Sequence, residues 1–127
     1  MFNQITVLNL HKSVDSLLLE DKKINSILTV IDPQRAAFVE TFHKQIPHID
    51  TSRFYFYDVS DLECPKSPCK SIVSSIIDKL VHLHESTTHY NCLIHCYAGR
   101  QRSTAVAYIA LAIKNNFDYI KSLDELY

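Results

Sequence analysis

His95-Cys96-Tyr97-Ala98-Gly99-Arg100-Gln101-Arg102-Ser103 holds the single glycine of a 127-residue chain. Before it lies an apolar run, 91–95, that reads as a strand. After it lies an amphipathic run, 103–116, that reads as a helix. A strand, a tight turn and a helix N-terminus bring backbone N–H groups and the positive end of the helix dipole to one spot, which suits an anion. A cysteine opens the loop and an arginine closes it. A thiol in that setting can be held as a thiolate, and a guanidinium can grip two phosphate oxygens at once.

Cys96 is the candidate nucleophile. A thiol ordinarily titrates near ~8.5, so this one needs a cause to be ionised at neutral pH. Each pKa unit corresponds to ~1.4 kcal/mol. The helix dipole supplies at most ~2 kcal/mol, so loop N–H groups, Arg102 and the Ser103 hydroxyl must add to it. Arg102 is expected to bind phosphate bidentately. A cation at a helix N-terminus is otherwise unfavourable there.

Outward from the loop, strands alternate with helices. Residues 4–8 read as a first strand. Residues 13–21 read as a helix with Val14, Leu17 and Leu18 at helical spacing and Ser13 as N-cap. Residues 24–31 read as a buried strand. Asp32-Pro33 opens a helix, with Asp32 capping and Pro33 in the first position. Ala36, Ala37, Phe38, Phe42 and Ile46 share one face of it, and Pro47 ends it. Residues 53–59 read as a third strand, 60–67 as a polar loop. Ile72, Ile76, Leu80 and Leu83 mark a long helix. In the helix after the loop, Ala105, Ile109, Ala112 and Ile113 are expected inward, and 117–126 forms a last short helix. This order predicts one α/β domain over residues 1–127. It has a largely parallel sheet flanked by helices, and ligands bind beyond the carboxyl ends of its strands.

The segment from His95 to Ser103 resembles the signature loop of the cysteine-dependent protein tyrosine phosphatases: His-Cys, five residues, Arg, then Ser or Thr. Ala98-Gly99 looks most like the small dual-specificity branch. Element order and length are similar to those of small bacterial tyrosine-phosphatase-like proteins. The resemblance implies a phosphotyrosine phosphatase-like α/β sandwich. Family domains usually carry further helices where this chain stops at Tyr127, so either a C-terminally shortened fold or cover from a homodimer is implied. The implied activity is metal-independent hydrolysis of phosphotyrosine, with phosphoserine and phosphothreonine as further substrates, through a phosphocysteine and without a cofactor. Cys96, Arg102 and Ser103 take the catalytic positions. Tyr97, Ala98, Gly99, Arg100 and Gln101, with Arg102, form the phosphate cradle. The family supplies its general acid from the loop after the strand that precedes the long helix. Asp61 is favoured here over Asp58, with Glu63 third. His95 matches a residue that tunes the thiolate, and a satisfied core histidine is an equal reading.

Two other functions stay open: a phosphate-recognition module without turnover, and a phosphatase of phosphoinositide or RNA 5′-phosphate, supported only by the extra loop cation Arg100. The expected partner is a phosphorylated protein or peptide. With a net charge of −1 and no basic, aromatic-interleaved stretch, no nucleic acid is expected. No apolar run is long enough for a membrane span. Four cysteines without a signal peptide point to the cytoplasm. Cys64 and Cys69 flank a proline-rich turn at the expected mouth of the site. Cys92, on the same strand face as Cys96, is too far away for a disulfide. His82 and His84 do not face one another, so no metal is expected.

Overall fold

The computed structural model describes residues 1–55, 67–97 and 102–126. Four parallel strands form one sheet in the order β1-β4-β2-β3: β1 is Phe2–Leu8, β2 Ser26–Ile31, β3 Asp50–Tyr55 and β4 Tyr90–His95. The two central strands are the two most apolar. All six residues of β2 are buried, as are the last four of β4. Near-continuous burial is what a parallel strand covered on both faces requires.

Alternate side chains sort into two layers. Leu28 and Val30 of β2, Cys92 and Ile94 of β4, and Ile5 and Val7 of β1 meet three helices on one face. These are α4 (Ser67–Glu85), α5 (Arg102–Lys114) and α6 (Tyr119–Leu126), which contribute Ile76, Leu80, Leu83, Val106, Ala107, Ala110 and Leu126. Ile27, Ile31 and Leu93 turn to the opposite face. There they meet α1 (Leu10–Ser13), α2 (Ser16–Asp21) and α3 (Ala36–Lys44), through Leu10, Leu19, Val39 and Phe42. Each fully buried Leu, Ile, Val or Phe among them stabilises the fold by about 1.5–3 kcal/mol relative to exposure.

Several element bounds differ from the sequence reading, each for a local reason. The span 13–21 is two helices. Asn9 Oδ1 accepts from Lys12 N at 2.9 Å and caps α1, and Asp15 Oδ1 accepts from Leu17 N at 3.0 Å and caps α2. Ser13 is the last residue of α1, its hydroxyl donating to Asn9 O at 2.7 Å. After Asp32 comes a 3-10 turn, Pro33–Arg35, before α3 begins. The Asp32 carboxylate makes no cap bond, because it is taken by Arg35. That turn rotates α3: Phe38 is exposed, and Val39, Phe42 and His43 face inward. β3 begins three residues before the expected start, in register with β2 from Ser26↔Asp50 to Ile31↔Tyr55. In α5 the inward face is Ser103, Val106, Ala107, Ala110, Leu111 and, as expected, Ala112, while Ala105 is exposed. Ile109 and Ile113 lie at its margin, packed on the core cluster.

With one glycine in the chain, left-handed backbone at helix ends falls to other residues. Lys23 (φ 54°) closes α2, where Ile24 N donates to Leu19 O at 2.9 Å. Asn116 (φ 52°) and Phe117 (φ 63°) close α5 in the same manner.

Candidate active site

Cys96 follows directly on β4, and the strand's alternation gives it the phase of Cys92 and Ile94, toward α5. It is 3% exposed. Its Sγ lies 3.2 Å from Oγ of Ser103, which is wholly buried. Ser103 is the second residue of α5, a helix of 13 residues that starts at Arg102. The thiol therefore sits at the positive end of a helix, where a thiolate is favoured. β4 is held on both sides just before this point, by Leu8↔His95 of β1 and Thr29↔His95 of β2. Past it, Leu10 N donates to Tyr97 O at 3.0 Å, tying the start of the loop to α1. The structure thus brings Cys96 and Ser103 together, with Arg102 half-buried at the head of the same helix.

His95 points the other way and is fully buried. Its Nε2 lies 2.7 Å from Thr29 Oγ1, and its Nδ1 lies 3.2 Å from the carbonyl oxygen of Cys96. Burial holds the imidazole down at about 4, against a weaker upward pull from that carbonyl. It is neutral at physiological pH. It is a satisfied core histidine whose ring also touches the backbone of Cys96. Beyond Thr29 stands a second buried ring, His43 of α3, with Nε2 3.3 Å from the same Oγ1. Burial, then the nearby Arg53 and His95, bring His43 down to about 4 as well. Cys92 lies in the apolar layer, where burial pushes its thiol up to about 12. It is a core residue and chemically quiet.

At the rim, Tyr97 is 42% exposed. The Arg35 guanidinium lies 3.9 Å from its ring centroid, and His11 meets the ring edge-on at 6.3 Å. Arg35 Nη1 also donates to Asp32 Oδ1 at 2.6 Å. Sequence reasoning missed Arg35. Its i,i+3 spacing from Asp32 was a usable signal for the ion pair, but nothing local announces its contact with Tyr97. It missed Thr29 and His43 too, because one is a polar residue inside an apolar strand and the other lies on a different helix.

Ala98, Gly99, Arg100 and Gln101 of the cradle lie outside the described residues, as do Asp61, Asp58, Glu63 and Cys64. Among the described residues, no three or more His, Cys, Asp or Glu side chains are grouped to hold a metal. No described helix is long and apolar enough to cross a membrane.

Neither protein-family models nor curated proteins give a match to this sequence. Solved structures do share its fold. The crystal structure of human DUSP28 superposes with a TM-score of 0.65 at 15% identity, covering 96% of this chain and 73% of that one. The Cydia pomonella PTP-2 phosphatase gives 0.67 at 18% identity, over 98% and 74%. Tk-PTP in its active form gives 0.54 at 15%, over 96% and 75%. The parallel sheet with helices on both faces is the architecture these phosphatases share with this chain.

Proposed function

We propose that this chain is a metal-independent phosphatase of protein phosphotyrosine, with phosphoserine and phosphothreonine within its range, acting through a phosphocysteine on Cys96. The observation that carries the reading is the buried Cys96 Sγ, 3.2 Å from Ser103 Oγ at the start of α5. The signature loop around it and the shared fold add support. In this mechanism the thiolate attacks phosphorus; the P–S bond forms as the bond to the leaving oxygen breaks. Arg102 and the loop amides of residues 97–102 hold the equatorial oxygens, and Asp61 protonates the leaving oxygen. Water then attacks the phosphocysteine, giving up its proton to the Asp61 carboxylate, and Ser103 donates a hydrogen bond to the departing thiolate.

The test is hydrolysis of an aryl phosphate in the presence of a chelator. Turnover is expected to be blocked by vanadate and abolished in Cys96→Ser, which still binds vanadate. Substantial turnover in Cys96→Ser rules the mechanism out. A wild-type protein that binds vanadate and turns nothing over is a recognition module. For the acid, Asp61→Asn is expected to slow a poor leaving group by ~10²–10⁴-fold and an activated one much less. Should Asp58→Asn alone give that pattern, Asp58 holds the role.

A further inference from the structure

The three groups His43, Thr29 and His95 form one buried chain that ends on the peptide of Cys96. Its direction follows from what each atom can do. The Cys96 carbonyl can only accept, so His95 Nδ1 carries the ring proton and donates. His95 Nε2 is then bare and accepts from the Thr29 hydroxyl at 2.7 Å. With its proton committed, Thr29 Oγ1 must accept, so His43 Nε2 carries the proton of that ring. This leaves His43 Nδ1 as a bare lone pair. It is indeed a buried side-chain nitrogen with no hydrogen-bond partner. The unmet group therefore falls at the far end of the chain, on an acceptor and not on an N–H. Both rings must be neutral for this arrangement. Burial keeps them so, aided at His43 by the positive charge of Arg53.

We propose that Thr29 and His43 are positioning residues for Cys96, acting through a one-way hydrogen-bond chain that fixes His95 in its Nδ1–H tautomer and so holds the carbonyl of the cysteine's own peptide. The proposal rests on the reading of Cys96 as the reactive thiol. Three elements supply the chain: α3, β2 and β4. The peptide after Cys96 is trans, so with its carbonyl held toward His95 the Tyr97 N–H points the opposite way. The carbonyl's negative end is also matched by a donor. Without the Thr29 hydroxyl, the buried Nε2 of His95 loses its donor, and the Cys96 carbonyl alone favours the Nδ1–H tautomer. The population with a bare Nδ1 facing the Cys96 oxygen, lone pair against lone pair, then rises, and in it the carbonyl is driven from its place beside the thiol.

The thiol itself gives the readout. Alkylation of Cys96 by iodoacetamide is followed across pH on the Cys96 peptide, by mass spectrometry, with no phosphate substrate present. Thr29→Val removes the hydroxyl and keeps the shape. It is expected to raise the midpoint of the profile by about one pH unit, so that the rate on the acid limb, well below the midpoint, falls about tenfold. Thr29→Ser keeps the hydroxyl and is expected to follow wild type. His43→Leu is expected to lose about threefold, and His43→Gln, which retains an N–H donor, to regain most of it. A folded Thr29→Val with the wild-type profile overturns the proposal, as does a Thr29→Ser as impaired as Thr29→Val. If Thr29→Val does not fold, the two His43 variants decide: equal profiles overturn the proposal, and the stated difference upholds it. A wild-type protein inert toward aryl phosphate whose variants still show these shifts removes the phosphatase and keeps the positioning chain.

Discussion

Ser103 is the residue on which two demands meet. As part of the first turn of α5 it belongs to the helix, and with no exposure it belongs to the core. Its hydroxyl is nevertheless 3.2 Å from Cys96 Sγ. A buried hydroxyl with one partner of variable charge contributes most when that partner is an anion, since hydrogen bonds to charged groups are worth ~1.5–3 kcal/mol. In the proposed cycle the thiolate reappears as leaving group in the second step. Ser103→Ala is thus expected to slow turnover of an activated aryl phosphate by ~10–100-fold, with release of the phenol in a rapid first turnover. Rapid-mixing measurements distinguish this from a general loss. A slow single exponential with no initial release places the damage in the first step and removes the assigned role.

At the scale of elements, the phase of α5 is what brings Ser103 under the thiol. Ser103, Val106, Ala107, Ala110 and Leu111 form one buried stripe, and the two alanines let the helix lie close on the sheet. From the sequence Ala105 is expected on that face beside Ala112, and of the two only Ala112 is buried: alanine carries little directional information, and the run that reads as amphipathic is apolar on nearly every side. In α3 Phe42 is inward as expected, but Phe38, expected on the same face, is exposed, and Val39 and His43, not expected there, are buried. By contrast, the order of strands and helices, the buried character of β2, and the strand before Cys96 with the helix after it were legible, since each rests on contiguous runs of local pattern. Asn9, Asp15 and Thr29 were not, because their roles are set by partners from turns and neighbouring strands. The phase of α5 can be checked directly. Ala107→Leu overfills a fully buried position and is expected to cost ~1–3 kcal/mol. Ala105→Leu, on the exposed side, is expected to stay within ~0.5 kcal/mol. Urea unfolding of the pair gives both values, and a reversed order would place Ala105 inward.

For the whole molecule, the site and the core are built on the same two strands. β2 and β4 carry Leu28, Val30, Cys92 and Ile94 to one face, and Thr29 and His95 to the other. A polar chain buried at the centre of the sheet makes global stability depend on its protonation. The ordinary value for the two imidazoles is 6.5, and in the folded protein both are held down at about 4 by burial. Folded values below the unfolded ones mean that the unfolded chain binds more protons between those limits. The contribution to stability is therefore complete above about 6.5 and is lost as the pH falls toward about 4. The urea midpoint of the wild-type protein is expected to drop steadily from pH ~7 to pH ~5, before most carboxylates titrate. In His43→Gln one of the two rings is gone, and the drop over the same interval is expected to shrink by roughly half. A wild-type midpoint that stays level across this interval would mean that both rings accept protons in the folded state, and the buried neutral chain behind Cys96 could not stand.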